Sequence, residues 1–160
     1  MVRVRDLSLG LRVFMRTYRW RAIDPVPASS LERSVTSCRV AVVSSAGLVV
    51  PGDEPFDQDL RGGDYSYRIV PADVELASLE EHHRSDAFDH SGIEADRNMA
   101  MPLDRLREMA ADGQIGSVAP RHISLMGSIT APGRLVKFTL PEVADVLTAD
   151  DVHVALMVPV

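Results

Sequence analysis

Cysteine is nearly absent from this sequence, because Cys38 is the only one among 160 residues. A single thiol excludes an internal disulfide and any metal site built from several thiolates of this chain. Cys38 precedes an apolar, β-branched segment, so we expect it to behave as a small buried hydrophobic side chain rather than as a nucleophile. The 160 residues therefore contain no dithiol chemistry of their own.

Long apolar runs and an excess of positive charge are also missing. No apolar stretch approaches the roughly 20 residues of a membrane span, and the first ten residues lack the apolar core of a secretory signal. The sequence has 17 basic and 23 acidic residues and a net charge of −6, which disfavours binding to a nucleic-acid backbone. We therefore expect a cytoplasmic protein with neither a membrane nor a nucleic acid among its partners.

The composition that remains is typical of a globular domain. Hydrophobic residues make up 46% of the chain and charged residues 25%, which is enough apolar surface to bury a core. We expect an amphipathic helix from Leu7 to Tyr18 and a proline-rich linker within residues 1–35. Residues 36–160 are expected to form one α/β domain.

Strands and helices alternate along residues 36–160. Apolar, β-branched patterns predict strands at 38–44, 65–70, 115–119 and 152–158, and segment 74–82 is read as a short strand or a turn of helix. Helices are predicted at 102–112, where Leu103, Leu106 and Met109 share one face, and at 141–147. This order predicts an α/β fold with a Rossmann-like parallel sheet and flanking helices. Because no helix follows strand 152–158, we expect the fold to be incomplete at its C-terminal edge.

Three of the five histidines lie between residues 48 and 97, a segment with little periodicity that we interpret as a functional excursion. His83, Asp89 and His90 are catalytic candidates there, since a neutral histidine near a carboxylate can act as a general base. Their spacing matches no established zinc motif, so no metal site is predicted. Asp96 and Asn98 of the same segment are candidate ligand-binding residues. The alternative is a polar loop held together by hydrogen bonds.

Two further candidate groups follow predicted strands. Arg121 and His122 come after the strand predicted at 115–119, so both would lie at the carboxyl edge of the sheet, where ligands bind. The alternative is that Arg121 pairs with a neighbouring aspartate and His122 caps a turn.

Ser44, Ser45 and Gly47 end the first predicted strand and are candidate ligand-binding residues. The loop offers backbone N–H groups to an anion. It lacks the Gly-x-Gly-x-x-Gly spacing of a dinucleotide-binding loop, which disfavours an NAD site.

Short sequence blocks occur in a fixed order between residues 42 and 127. They are Val42-Val43-Ser44-Ser45-Ala46-Gly47, Glu54-Pro55-Phe56-Asp57, Gly63-Asp64-x-Ser66-x-Arg68, His83-Arg84, Phe88-Asp89-His90, Asp96-x-Asn98, Pro102-x-Asp104-Arg105-Leu106, Gly113-x-Ile115-Gly116 and His122-x-x-x-Met126-Gly127. Across about residues 36–160 this order resembles the glycine/sarcosine/betaine reductase selenoprotein B and D-proline reductase family. Leu125 departs from the family pattern, which has an aromatic residue there.

The resemblance implies a reductase that cleaves a carbon–nitrogen bond next to a carboxylate, with a selenocysteine or cysteine nucleophile and dithiols as electron donors. In such proteins the redox residue follows the last strand, so we expect selenocysteine immediately after Val160 and a chain truncated before its nucleophile. No other cofactor is expected. The resemblance also implies an amino-acid-like substrate and, as partners, further reductase subunits or a second copy of the chain.

Physical chemistry suggests residue roles for such a reaction, which the resemblance itself does not assign. His83, Asp89 and His90 would supply the proton that a departing amine requires. Arg121 and His122 would stabilise the selenolate or hold the substrate carboxylate.

Two alternatives stay open at this point. The chain could be a non-enzymatic module that binds a small ligand or a subunit, with residues 48–98 and Arg121 contacting an anion or a partner. A metal-dependent hydrolase would need His83, His90 and His122 to converge, which sequence spacing cannot decide.

Overall fold

A computed structural model of the protein describes residues 8–18, 23–85 and 90–160. The helices are α1 (Leu9–Thr17), α2 (Ser91–Ala95), α3 (Leu103–Ala111) and α4 (Leu140–Ala149). The strands are β1 (Arg39–Ser44), β2 (Leu48–Val49), β3 (Tyr67–Pro71), β4 (Glu80–Glu81), β5 (Ser117–Val118), β6 (Arg121–Leu125) and β7 (Val154–Val158). The chain divides after Ser30 into two compact units.

The first unit contains α1, which lies within the range 7–18 where the sequence predicts an amphipathic helix. The rings of Phe14 and Tyr18 are 5.3 Å apart between centroids, as expected for side chains four residues apart on one helix face. After Tyr18, the residues from Ile23 to Ser30 form no helix or strand.

The second unit is built on a mixed sheet. β1 is its central strand and pairs in parallel with β5, β6 and β7. β3 pairs with β6 in the antiparallel direction, and β2 and β4 form a separate antiparallel pair. The α/β class is confirmed, but the expectation of a purely parallel sheet is wrong because of β3. An apolar pattern predicts that a strand is buried and contains no information on the direction of its partner.

The strand predicted at 115–119 is observed as the shorter β5, and a bulge separates β5 from β6. β7 pairs along one edge of β1, so β5 and β6 share the other edge, and their register changes by two residues between Arg39↔Ser117 and Val43↔Ile123. The four residues 119–122 therefore stand opposite the two residues 41 and 42 of β1, and Pro120 among them cannot donate a hydrogen bond to the ladder. Arg121 and His122 therefore begin β6. Their predicted position at the carboxyl edge of the sheet is wrong.

Helices pack on both faces of β1. Val40 and Val42 pack in a cluster with Leu103 and Leu106 of α3, whereas Val43 packs with Val143 of α4. The predicted helices at 102–112 and 141–147 are confirmed as α3 and α4, and a π-helical turn at Leu135–Thr139 extends α4 at its start. In the described ranges, no helix combines the length and the apolar composition that crossing a membrane requires.

Segment 74–82, which the sequence left between two readings, contains both a short helical turn and a strand. A 3-10 turn spans Leu76–Ser78, and β4 follows it after Leu79.

β7 lies at one margin of the five-stranded sheet and exposes Leu156 by 39% and Met157 by 62%. β7 pairs with β1 alone among the described strands, so its outer edge is open.

Candidate functional site at the carboxyl ends of the parallel strands

Three loops meet where β1 and β6 end. The N–H of Gly127, after β6, donates to the carbonyl of Ser45, after β1, at 2.8 Å. The N–H of Gly47 donates to the carbonyl of Leu125 at 2.9 Å, and that of His82 to the carbonyl of Gly47 at 2.9 Å. Because β1 and β6 are parallel, their carboxyl ends form one edge, and β4 brings the histidine segment to the same place.

Two glycines allow this close approach. A Cβ on Gly127 would stand 2.5 Å from Nε2 of His83 and 2.9 Å from the carbonyl oxygen of Ser45. Gly47 has a φ of +67°, and its Cβ would stand 3.0 Å from the backbone nitrogen of His83. Only glycine fits such positions without displacing the histidine. The His83 ring is thus held against the bare α-carbon of Gly127.

His83 and His90 form a pair whose ring centroids are 6.4 Å apart. The side chain of His83 is buried, and its Nδ1 accepts the N–H of Ser85 at 3.2 Å. Burial lowers the pKa of His83 below 6.5, against the opposing effect of the negative charge of Glu81. A neutral ring whose Nδ1 accepts a hydrogen bond carries its proton on Nε2, the nitrogen beside Gly127.

His90 has the opposite environment. Its Nδ1 lies 2.6 Å from Oε1 of Glu81, and its Nε2 lies 2.8 Å from the carbonyl oxygen of Ser85. A carbonyl oxygen can only accept and a carboxylate accepts as well, so this geometry favours a ring protonated on both nitrogens. Sequence reasoning missed Glu81, although Glu80-Glu81 directly precedes the paired histidines 82 and 83. Asp89 lies outside the described residues.

The backbone amides of the loop after β1 are already bonded within the protein. The N–H of Ser45 donates to the carbonyl of Val158 at 3.1 Å, and that of Ala46 donates to Oγ of Ser44 at 3.2 Å. Oγ of Ser45 accepts the N–H of Val160 at 2.9 Å. An anion at Ser44, Ser45 and Gly47 would have to compete with these bonds and with the Gly47 bond described above.

Arg121 lies at the amino end of the parallel strands. Its guanidinium donates to both carboxylate oxygens of Asp150, at 2.8 and 2.7 Å. These hydrogen bonds raise the pKa of Arg121 and lower that of Asp150. The structure thus has Arg121 paired with an aspartate, the second of the two arrangements that the sequence left open.

His122 is fully buried beside β1. Its Nδ1 accepts the N–H of Val42 at 3.0 Å and so replaces a strand carbonyl at the bulge. Burial, together with the positive charge of Arg107, lowers the pKa of His122 to about 4. The imidazole is neutral at pH 7 and stabilises the sheet as a hydrogen-bond acceptor. Within the described ranges, no three His, Cys, Asp or Glu side chains are grouped so as to hold a metal ion.

Asp96 and Asn98 lie at the 3-10 turn Arg97–Met99, which precedes α3. Oδ1 of Asp96 accepts from both the backbone and the side chain of Asn98, at 2.9 and 3.0 Å, and these bonds lower the pKa of Asp96. Oδ1 of Asn98 in turn accepts the N–H of Asp104 in the first turn of α3, at 3.1 Å. They line a cleft with Glu75 and Glu94, apart from the histidine pair.

Known proteins match most of the chain. The family model for glycine/sarcosine/betaine reductase selenoprotein B matches residues 9–159. The chain is 28% identical to the D-proline reductase subunit gamma of Acetoanaerobium sticklandii over 136 residues, which are 84% of this chain and 54% of that protein. It is 26% identical to the sarcosine reductase complex component B subunit beta of Peptoclostridium acidaminophilum, over 78% of this chain and 29% of that protein.

A glycine reductase complex component B subunit gamma, from Carboxydothermus hydrogenoformans, is 24% identical over 78% of this chain and 28% of its own length. The chain therefore spans about half the length of the first relative and under a third of the other two. No solved structure matches it. The family match contains every block on which the sequence resemblance was based, so that resemblance is confirmed. The chain belongs to the glycine/sarcosine/betaine reductase selenoprotein B family.

Proposed function

We propose that this chain forms part of a reductase that cleaves the carbon–nitrogen bond of an amino-acid-like substrate next to its carboxylate. The nitrogen leaves with the electron pair of the broken bond and takes one proton, while the α-carbon gains a hydrogen. A dithiol supplies the two electrons and two protons and becomes a disulfide. With D-proline the ring would open to 5-aminopentanoate. Family membership supports the reaction class, and the substrate and electron donor are part of the proposal.

The histidine pair at the carboxyl ends of β1 and β6 is the observation that carries the proposal. A departing amine needs a proton, and His90 is held between Glu81 and the carbonyl of Ser85, an arrangement that favours N–H groups on both of its nitrogens. His83 is neutral at pH 7 because burial lowers its pKa. The two rings lie 6.4 Å apart, so a candidate proton donor and a second, neutral imidazole are found at the same edge of the sheet. Asp89 stays a candidate through its position next to His90.

The redox residue remains the selenocysteine expected after Val160. The end of β7 is tied to the same edge, since the N–H of Val160 donates to Oγ of Ser45 at 2.9 Å. A selenolate that followed β7 would start from the loop that also contacts Gly127 and His83. Selenocysteine would supply an ionised nucleophile at neutral pH, as low-pKa thiolates do.

Partner subunits are part of the proposal. The relatives named above are subunits of reductases or of reductase complexes. Leu156 and Met157 of β7 are exposed at an open strand edge, and open apolar edges pair with other chains. We infer that a further reductase subunit covers β7.

The test uses the full-length protein with any subunits that co-purify with it. D-proline, sarcosine, glycine and betaine are each supplied with dithiothreitol, and the amine and acid products are measured by mass spectrometry together with dithiol oxidation. We expect one product molecule per oxidised dithiol from at least one substrate. Glu81→Gln should lower kcat by about a hundredfold, because it removes the carboxylate that holds His90.

The matched control is Glu80→Gln, on the neighbouring residue of β4, whose carboxylate lies 3.5 Å from His82 instead. It should leave kcat within about twofold. Binding of an amino acid without turnover would contradict the reductase proposal and favour the non-enzymatic module. Equal effects of the two substitutions would contradict the role of His90.

A further inference from the structure

A cleft of about 430 Å³ opens beside the loop that follows β6. One wall is formed by residues 61–65, and the other by residues 131–138, where the helix that becomes α4 begins. The carbonyl of Gly62 accepts the N–H groups of Thr130 and Ala131, at 3.0 and 3.2 Å. The hydroxyl of Thr139 donates to the carbonyl of Tyr65. The walls are therefore bonded to each other, and the volume is that of a small-molecule site.

Paired glycines allow the walls to meet. Gly62 and Gly63 have φ values of +96° and +98°. A Cβ on Gly63 would stand 2.9 Å from the Cα of Ile129, and a Cβ on Gly62 would stand 3.0 Å from the Cβ of Ala131. Side chains at either position would push the walls apart. The cleft is thus a built feature of the fold.

The charge of the cleft is entirely positive. Arg61, Arg134 and Lys137 line it, and no acidic residue does. Within the described ranges, none of these three cations pairs with a carboxylate, whereas Arg39, Arg107 and Arg121 all do. The chain has a net charge of −6. Because no carboxylate in the described ranges pairs with these three cations, their positive charges add up in the cleft and attract an anion.

The one carboxylate within the wall segment 61–65, that of Asp64, is bonded away from the three cations. Asp64 is buried, and its two oxygens accept the N–H groups of Asp57 and Ser66, both at 2.8 Å. Hydrogen bonds from Ser66 are the main cause of its lowered pKa, acting against burial. Asp64 therefore stabilises the turn, and within the described ranges it forms no ion pair with the cations of the cleft.

Aromatic rings lie beside the cations. The guanidinium of Arg134 is 5.5 Å from the centre of the Tyr65 ring, and Nζ of Lys137 is 5.1 Å from the centre of the Phe138 ring. Such contacts orient a cation and limit its freedom. Lys137 and Phe138 belong to the π-helical turn Leu135–Thr139, and π-helical turns recur at functional sites. The cleft combines oriented cations with apolar ring surfaces.

We propose that this cleft binds a small molecule in which a carboxylate or a phosphate is attached to an apolar group. Arg61, Arg134 and Lys137 bind the oxyanion. Tyr65, Phe138 and Pro132 pack against the apolar part. The site differs from the loop after β1, whose amides are already bonded, and it does not depend on carbon–nitrogen cleavage.

The test is isothermal titration calorimetry of the full-length protein at low salt. Benzoate and phenyl phosphate represent the two oxyanions on an apolar group, inorganic phosphate the anion alone, and benzyl alcohol the apolar group alone. We expect saturable binding of benzoate or phenyl phosphate, with weaker binding of the two partial probes. Whichever of benzoate and phenyl phosphate binds more tightly shows whether the site prefers a carboxylate or a phosphate ester.

Variants locate the binding. Arg134→Gln combined with Lys137→Gln should raise Kd by about tenfold or more, because two charged hydrogen-bond donors are lost. Phe138→Ala should weaken benzoate or phenyl phosphate and leave inorganic phosphate unchanged. The control combines Arg33→Gln with Arg105→Gln, which removes the same charge from exposed positions outside the cleft.

Two results would overturn the proposal. One is the lack of saturable binding of every probe to the unaltered protein. The other is an equal loss of affinity in the cleft variant and the control, which would mean diffuse attraction by surface charge. Since the substituted side chains are on the surface, circular dichroism should show unchanged folding in all variants.

Discussion

The two ends of the parallel strands β1, β6 and β7 use their polar residues in opposite ways. At the amino end, Arg121 is fully engaged by Asp150, and the guanidinium of Arg39 donates to the carbonyl of Asp150 at 2.5 Å. At the carboxyl end, His83 and His90 lie together against loops closed by backbone hydrogen bonds. The charges of one end stabilise the sheet, whereas the histidines of the other are the candidates for proton transfer in the proposed reaction.

Histidines occur at both ends, and their partners distinguish them. At the amino end, Nδ1 of His122 accepts the N–H of Val42, and Nδ1 of His153 accepts the N–H of Arg39, at 3.0 and 2.9 Å. Each ring replaces a carbonyl along β1, which requires that nitrogen to be unprotonated. At the carboxyl end His90 faces a carboxylate and a carbonyl, which favours protons on both nitrogens. Residue type alone would make these histidines equivalent.

The largest effect is expected from acidification at the amino end. His122 has a pKa lowered to about 4 by burial, so between pH 6.5 and 4 the unfolded chain binds a proton that the folded protein does not. The free energy of unfolding should therefore fall by about 3 kcal/mol over this window and be unaffected by this group above pH 6.5. Urea unfolding at a series of pH values measures the change.

His122→Asn makes this prediction specific, because the amide oxygen can accept the N–H of Val42 but cannot titrate. The loss of stability between pH 6.5 and 4 should shrink by about the same 3 kcal/mol relative to the unaltered protein. His82→Asn, at a half-buried ring outside the sheet, should leave the slope unchanged. Identical slopes in all three proteins would show that His122 does not stabilise the sheet as a neutral ring.

A smaller effect, on activity, is expected at the carboxyl end. Gly127→Ala introduces a Cβ that would stand 2.5 Å from Nε2 of His83, so the ring must move. We expect kcat of the proposed reductase to fall by about a hundredfold, because displacement of a proton-transfer group by a fraction of an ångström lowers the rate strongly.

The control for this substitution is Gly133→Ala, eight positions beyond the end of β6, where an added Cβ meets nothing within 4 Å. Activity should be retained there. Steady-state kinetics with the best amino-acid substrate gives both values. Equal kcat values for the two variants would show that the position of His83 does not affect the reaction. The contrast between the two ends of the sheet would then be weaker.

The smallest effect is expected from the ion pair at the amino end. Asp150→Asn removes the charge that pairs with Arg121, and the free energy of unfolding should fall by about 1 kcal/mol, since the Arg121 side chain is partly exposed. KM and kcat should stay unchanged. A rise in KM for the amino acid, with stability preserved, would instead restore Arg121 to the carboxylate-binding role predicted from the sequence.

Sequence reasoning succeeded where a pattern is local. β1 was predicted at 38–44 and observed at 39–44, and α3 was predicted at 102–112 and observed at 103–111. Both have a repeating apolar pattern that determines which face is buried. His83 and His90 were grouped because they lie close along the chain. The family was recognised from residues in sequence order, which requires no knowledge of contacts.

The failures have a common physical origin. Pro120 and Arg121 interrupt the apolar pattern, so the continuation of the strand as β6 was missed, and His122 was expected at a ligand-facing edge when it is buried in the sheet. The antiparallel direction of β3 depends on its pairing with β6, far along the chain. The contact of Glu81 with His90 joins side chains nine residues apart, a distance that no local sequence pattern predicts.

The sequence alone determined the family, the α/β class and the positions of the main helices and β1, because apolar periodicity and ordered motifs are properties of neighbouring residues. Only the tertiary structure decided which polar groups meet. It paired Arg121 with Asp150, His122 with Val42 and His90 with Glu81, and it brought the three cations Arg61, Arg134 and Lys137 to one cleft. A hydrogen bond requires two groups within about 3 Å, and only the folding of distant segments onto each other determines that distance.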